Sequence, residues 1–209
     1  MKKVLLIAIG IILLGVSTAA SVNLPKTGQN NCYDSSGNII PCSGTGQDGD
    51  WKAGISFAPR FTFGAGPETE CITDNLTGLM WVKTPDSANK LPWQTALDYV
   101  KSVANSSGGF CSHGDWRLPG VVELETMTNA GQPDSGAWLN TQGFSNIQSA
   151  DGYWSSTSFA GMPYTYMAFG VYMAGGRRGI DNKTNSNYVW PVRGNYSILL
   201  TWQANRAII

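Results

Sequence analysis

The chain has 209 residues, of which 42% are apolar and 13% charged, with 25 Gly and a formal net charge of +0. An aromatic share of 11% excludes a disordered chain, the lack of a Gly-X-Y period excludes collagen, and the charge balance offers nucleic acid no basic footprint. The length allows one domain with appendages or two small ones, and charge at about half the usual ~25% share describes a turn-rich, exported globule.

Residues 1–20 read as an address. Lys2 and Lys3 precede the apolar run Val4 to Val16, and the small residues Ser17-Thr18-Ala19-Ala20 follow. This predicts a secretory signal peptide cut after Ala20. The alternative, a retained anchor, needs a longer run, because about 20 apolar residues span a bilayer. Cleavage leaves 12 basic and 14 acidic side chains, a net charge of −2, and no membrane span.

Residues 21–50 are rich in Gly, Asn, Ser and Asp and predict an extended segment with few core anchors. Four cysteines, Cys32, Cys42, Cys71 and Cys111, imply two disulfides in an exported chain. Three pairings are open. The turn residues Asp34-Ser35-Ser36-Gly37-Asn38 make Cys32–Cys42 the simplest, leaving Cys71–Cys111. No C-x-x-C spacing suits zinc. Asp48-Gly49-Asp50 is similar to cation-loop chemistry but lacks the spaced acids and closing Glu of a calcium loop, so it reads as a solvated turn.

From Trp51 the pattern turns to short strands. Ile55–Phe57 and Arg60–Phe63 are separated by Pro59, and Cys71–Asp74 and Leu79–Val82 flank a turn, Asn75-Leu76-Thr77-Gly78. Pro92 opens a helix on which Trp93, Ala96, Leu97, Val100 and Ala104 share one face. A second helix is expected over 119–128, with Val121, Leu124 and Met127 or Thr128 as its buried stripe. Residues 129–150 read as loop. Strand signals return at 153–157, 166–173, 177–180 and 188–193, and Leu118, Leu124, Trp154 and Val192 are expected in the core. The tail, 195–209, alternates Tyr196, Ile198, Leu200 and Trp202 and reads as an added strand. Helices early and antiparallel strands late argue an α+β domain over 51–194.

Several segments taken together carry a family resemblance: Thr27-Gly28-Gln29, Cys32-Tyr33-Asp34, Thr45-Gly46-Gln47-Asp48-Gly49, Thr73 to Trp81, Trp93 to Leu97, Gly114-Asp115-Trp116-Arg117-Leu118-Pro119, Glu123-Leu124, Tyr153 to Thr157 and Pro191-Val192-Arg193-Gly194. In this order, over roughly 27–194, the chain resembles the Lcl C-terminal domain family. The resemblance implies a C-type-lectin-like fold, two helices packed on a mainly antiparallel sheet with long loops. It also implies a bacterial exported protein. One member of the family is a collagen-like adhesin whose C-terminal domain binds sulfated glycosaminoglycans as a trimer. The resemblance therefore points to adhesion, a glycan ligand and a homo-oligomer; the collagen stem has no counterpart in this chain.

Chemistry is thinly represented. His113 is the single histidine, no G-x-S-x-G elbow occurs, and Glu123 and Glu125 stand two apart on a helix and cannot serve one site. Glu123 is expected to pair with Arg117 at the helix start. Gln132-Pro133-Asp134 is similar to the sugar-chelating triplet of calcium-dependent lectins, but the later Trp-Asn-Asp motif is missing. The chain is thus expected to be non-enzymatic, with no cofactor or metal.

The candidate ligand site is Arg177, Arg178 and Lys183, opposed locally only by Asp181 and set among Gly175, Gly176 and Gly179. This predicts an exposed loop tip, with Tyr164 and Tyr166 as stacking neighbours; Tyr172 and Trp190 are further aromatic candidates. Arginine forks suit sulfate and carboxylate, so a glycan or acidic polysaccharide is the expected partner. The competing expectation is an assembly subunit whose partner is an envelope protein.

Overall fold

A computed structural model describes residues 25–56, 58–85, 90–106 and 108–194. The expected signal peptide, Phe57 and the strand expected within 195–209 lie outside the described residues.

In chain order the elements are β1 (Cys32–Tyr33), β2 (Ile39–Ile40), α1 (Asp48–Trp51), β3 (Phe61–Phe63), β4 (Cys71–Asp74), β5 (Leu79–Val82), β6 (Leu91–Pro92), α2 (Trp93–Tyr99), α3 (Val121–Thr126), α4 (Ser135–Thr141), β7 (Gly152–Ser158), β8 (Met167–Tyr172), β9 (Arg177–Asn182), β10 (Ser186–Asn187) and β11 (Val192–Arg193). The fold is α+β and its named strand pairs are antiparallel.

The N-terminal segment is built on a turn. Asp34 Oδ1 accepts from the amides of Ser36 and Asn38 at 2.9 and 2.8 Å, which brings β1 against β2. The Cys32–Cys42 disulfide closes this unit, and Gly49 of α1 lies so near it that an added Cβ would meet Cys32 Sγ at 2.9 Å. The unit is also docked on the rest of the chain. The Ala130 amide donates to Thr27 O at 2.8 Å and the Lys26 amide to Ile55 O at 3.0 Å.

The first sheet has the order β11-β5-β4-β3. The β4–β5 hairpin forms where turn chemistry demands it, with Gly78 at φ 74° and its amide 2.7 Å from Asp74 O. Asp74 is fully buried but not unpaired: its carboxylate receives both prongs of Arg60, the Leu76 amide and the Thr77 hydroxyl. A buried carboxylate requires such satisfaction. The second disulfide, Cys71–Cys111, ties β4 to the loop after α2.

The helix expected from Pro92 is present, as α2 continued by a π-helical turn over Val100–Ala104; Ala96, Val100 and Ala104 are buried along it. The second expected helix is α3, with Val121, Leu124 and Met127 buried. At its start Glu123 takes both prongs of Arg117 at 2.6 Å each, and its Oε2 accepts the Gly120 amide at 2.7 Å. The expected Arg117–Glu123 pair is therefore also the helix cap.

Two expectations need correction. Residues 129–150 are not all loop: they contain α4, capped by Asp134, whose Oδ1 accepts the Ala137 amide at 2.9 Å and the Ser149 hydroxyl at 2.6 Å. Residues 188–193 are not one strand. Pro191 has no amide to donate, and the segment crosses from Tyr188, beside Tyr153 of β7, to Val192, beside Arg117 and β5.

That crossing segment carries Trp190 into the core between the two sheets. Trp190 is fully buried, 4.9 Å from Trp81, and its Nε1 donates to Val82 O. Leu118, Leu124, Trp154 and Val192 are buried as expected. The second sheet has the order β7-β8-β9, with α3 packed on one face.

Candidate functional site

The site residues named from sequence all fall on or beside the β8–β9 hairpin, but not in one place. The register sets Tyr172 opposite Arg177 and Met167 opposite Asn182. Arg177 and Arg178 therefore stand at one end of β9 and Lys183 just past the other, roughly 20 Å apart at strand rise. The strand expected at 177–180 is present as β9, Arg177–Asn182, so the two arginines are not on a loop tip; the tip is Gly175-Gly176, at φ 70° and 60°. Only glycine takes two such angles at low cost.

Each cation has a different fate. Arg178 is committed to Glu125 of α3 in a two-pronged pair, with its guanidinium 5.6 Å above the Phe169 ring. That pair raises the Arg178 pKa above its ordinary value. Lys183 donates from Nζ to Ser158 Oγ at 2.6 Å and to Thr165 O at 2.9 Å, and lies 4.6 Å over the Trp93 ring. Its backbone is used as well, since its amide donates to Tyr166 O and its carbonyl accepts from the Trp93 amide, both at 3.0 Å. Arg177 has no carboxylate partner among the described residues; its guanidinium rests 4.5 Å over the Tyr172 ring. The Tyr172 ring lies close against Gly152 and Gly179: a Cβ on Gly179 would meet it at 2.8 Å.

Lys183 brings Tyr164 and Tyr166 into order. By holding Thr165 and Tyr166 it pins the loop between β7 and β8, which presents both rings outward at 47% and 48% exposure. The two rings meet edge to face, with centroids 6.1 Å apart and planes at 64°. Met162, 80% exposed, stands on the same loop. Trp190, a further aromatic candidate, is withdrawn by its burial.

Sequence reasoning missed Glu125 as the partner of Arg178, and Trp93 and Ser158 as the seat of Lys183. No local signal marks the first, because 53 residues separate the partners. The remaining chemical candidates are also engaged. His113 Nε2 meets Glu68 Oε1 at 2.8 Å, and the Asp134 carboxylate serves the α4 cap. Asp48 takes the Thr27 hydroxyl and Asp50 the Gly46 amide. Among the described residues no group of three or more His, Cys, Asp or Glu could hold a metal ion, and no helix is long and apolar enough to cross a membrane.

The Lcl C-terminal domain model matches residues 70–193, from β4 through β11. The chain belongs to the Lcl C-terminal domain family. No curated protein matches it. The Lcl C-terminal domain thus takes in the first sheet from β4 onward, all of β7-β8-β9 and the crossing segment. The candidate residues Tyr164, Tyr166, Arg177, Arg178 and Lys183 all lie inside it.

Proposed function

We propose that this protein is an exported, non-enzymatic binding module of C-type-lectin-like fold, which recognises a glycan through the Tyr164–Tyr166 pair. The observation that carries the reading is that pair: two exposed rings set on a loop whose backbone is anchored by Lys183. Sugars offer apolar faces to aromatic rings, and rings held in place lose little freedom on binding. Lys183 acts here as the clasp beneath the rings rather than as a ligand contact.

Export is supported by the leader pattern and by two disulfides, which persist in oxidising compartments. The lectin-like fold is supported by the order of its motifs: Arg117-Leu118-Pro119 opens α3, a long connection follows, and the strands near the C-terminus close on the first sheet. Acidic polysaccharide recognition is supported by Arg177, whose planar fork is free to take a sulfate or carboxylate edge-on. Adhesion at the cell surface follows if such a glycan lies outside the cell.

A glycan array probed with the oxidised protein tests the reading. Binding to a defined glycan set is expected. Binding to no glycan, with co-purification of an envelope protein, favours the assembly subunit instead, a reading that the open edge of β9 supports.

A further inference from the structure

We infer that the free edge of β9 pairs with the same edge of a second copy of this chain, joining two β7-β8-β9 sheets into one about a two-fold axis at Gly179. The inference goes beyond glycan recognition and does not depend on it.

Among the described residues β9 is an edge strand: in the order β7-β8-β9 it pairs with β8 alone. Antiparallel ladders alternate, so every second residue turns its amide and carbonyl away from the neighbour. The Lys183 amide donates to Tyr166 O, which sets the phase. Gly179 and Asp181 then bond toward β8, and Arg178, Ile180 and Asn182 point outward. The Asn182 amide is taken by Asp181 Oδ1 at 2.8 Å, which ends the open stretch. What remains is the backbone of Arg178 and Ile180 on an edge without proline or bulge, the kind of edge that invites another strand.

Self-pairing about a two-fold axis is isologous, and opposed side chains must share a face. Only registers centred on a residue satisfy this. Centred on Gly179, Arg178 opposes Ile180 of the second copy, and both outward groups exchange hydrogen bonds. Arg177 then opposes Asp181 of the second copy in a close, non-hydrogen-bonded pair, where Cα atoms approach to about 4.5 Å. Neither Arg177 nor Asp181 has an ion-pair partner among the described residues. The Asp181 carboxylate accepts from the Asn185 and Asn187 side-chain amides, which are neutral and leave its charge uncompensated. Gly179 opposes Gly179 at the axis and adds no side chain of its own there, its face being covered by the Tyr172 ring.

The neighbouring registers are disfavoured by charge. An axis on Ile180 sets Arg177 against Lys183 of the second copy, and an axis on Arg178 sets Arg177 against Gly179 and Asp181 against Gly175, so both charges lose their partners. Ile180, 42% exposed on its own, gains the aliphatic stem of Arg178 in the Gly179 register. The strand is thus complementary to itself in one register and loses that complementarity in the next on either side.

The test is the mass of the oxidised protein in solution, by sedimentation across the micromolar range. A dimer is expected. Arg177→Glu and Asp181→Lys each set like charges opposite and should raise the dimer dissociation constant at least ~10-fold. Mixed together, the two variants should pair. The carboxylate introduced by Arg177→Glu then meets the ammonium introduced by Asp181→Lys, and the unaltered Arg177 of one copy meets the unaltered Asp181 of the other. Ile180→Pro, which removes an outward amide and no β8–β9 bond, gives the same reading if Asp181→Lys does not fold. A wild-type mass of one chain, a trimer, or a dimer indifferent to Arg177→Glu overturns the inference. Two folded variants that fail to pair overturn the register. A single copy keeps its Tyr164–Tyr166 pair in every case, so glycan binding at those rings and dimerisation fail separately, whereas Arg177 meets a glycan anion only in the single chain and Asp181 of the second copy in the dimer.

Discussion

Arg178 of β9 and Glu125 of α3 form a two-pronged ion pair across 53 residues of sequence. The pair explains why a basic cluster visible in sequence is not one in space. With Arg178 neutralised and Lys183 turned onto Trp93, Arg177 is the one member of the three left for an anion.

The first prediction separates these arginines. Arg177→Ala should weaken retention on a heparin column at low salt, whereas Arg178→Ala should leave it nearly unchanged. The partners of the Arg178 pair are 43% and 32% exposed, so its loss should cost no more than ~1 kcal/mol of stability. Equal loss of retention in both variants contradicts the assignment.

Acid should destabilise the protein through Glu123. Burial alone would raise its pKa, but the Arg117 fork and the Gly120 amide outweigh burial and hold it below the ordinary 4.5. A carboxylate depressed on folding contributes stability that is present above its unfolded value and lost as pH falls through its folded one. Asp134, lowered by the Ser149 hydroxyl and the Ala137 amide from 3.8, acts in the same direction. Melting temperature should therefore fall as pH drops below ~4.5, and Glu123→Gln should flatten that limb. An acid limb unchanged by Glu123→Gln contradicts the assignment.

Trp154 tests the core. It is fully buried and donates from Nε1 to Leu91 O at 2.8 Å, fixing β7 to β6 just before α2. Trp154→Ala should cost ~3–5 kcal/mol in denaturant unfolding, as large-to-small changes of this kind do. An unchanged midpoint contradicts the core as described.

The two disulfides should differ in weight. Loop entropy grows with the length enclosed, so Cys71–Cys111, at a separation of 40, should contribute ~4 kcal/mol and Cys32–Cys42, at 10, ~3 kcal/mol. Replacing each pair by Ser and measuring unfolding checks the order. Alkylation of the unreduced protein should find no thiol.

Legibility in the sequence follows distance along the chain. The β4–β5 hairpin is readable because Asn75–Gly78 supplies its turn locally, and α2 because its apolar residues repeat at the helical period. The Arg117–Glu123 pair is readable because both partners lie within one loop and the first turn of α3. By contrast α4, Ser-Gly-Ala-Trp-Leu-Asn-Thr, has weak helix propensity and no full apolar period; its cap from Asp134 and the burial of Leu139 make it. Trp190 reads as a ligand candidate because it falls in the stretch of long loops and closing strands, whereas the segment runs between two sheets and is buried on both sides. The basic patch misleads because charge counted along the chain leaves out Glu125, which answers it from another element.

The most direct test of the central claim is calorimetric titration of the glycan bound most strongly on the array into wild type and a Tyr164→Ala, Tyr166→Ala double variant. Wild type should bind saturably and the variant at least ~10-fold more weakly, with unchanged melting temperature, because both rings are exposed. Equal affinity in the two proteins would contradict that claim.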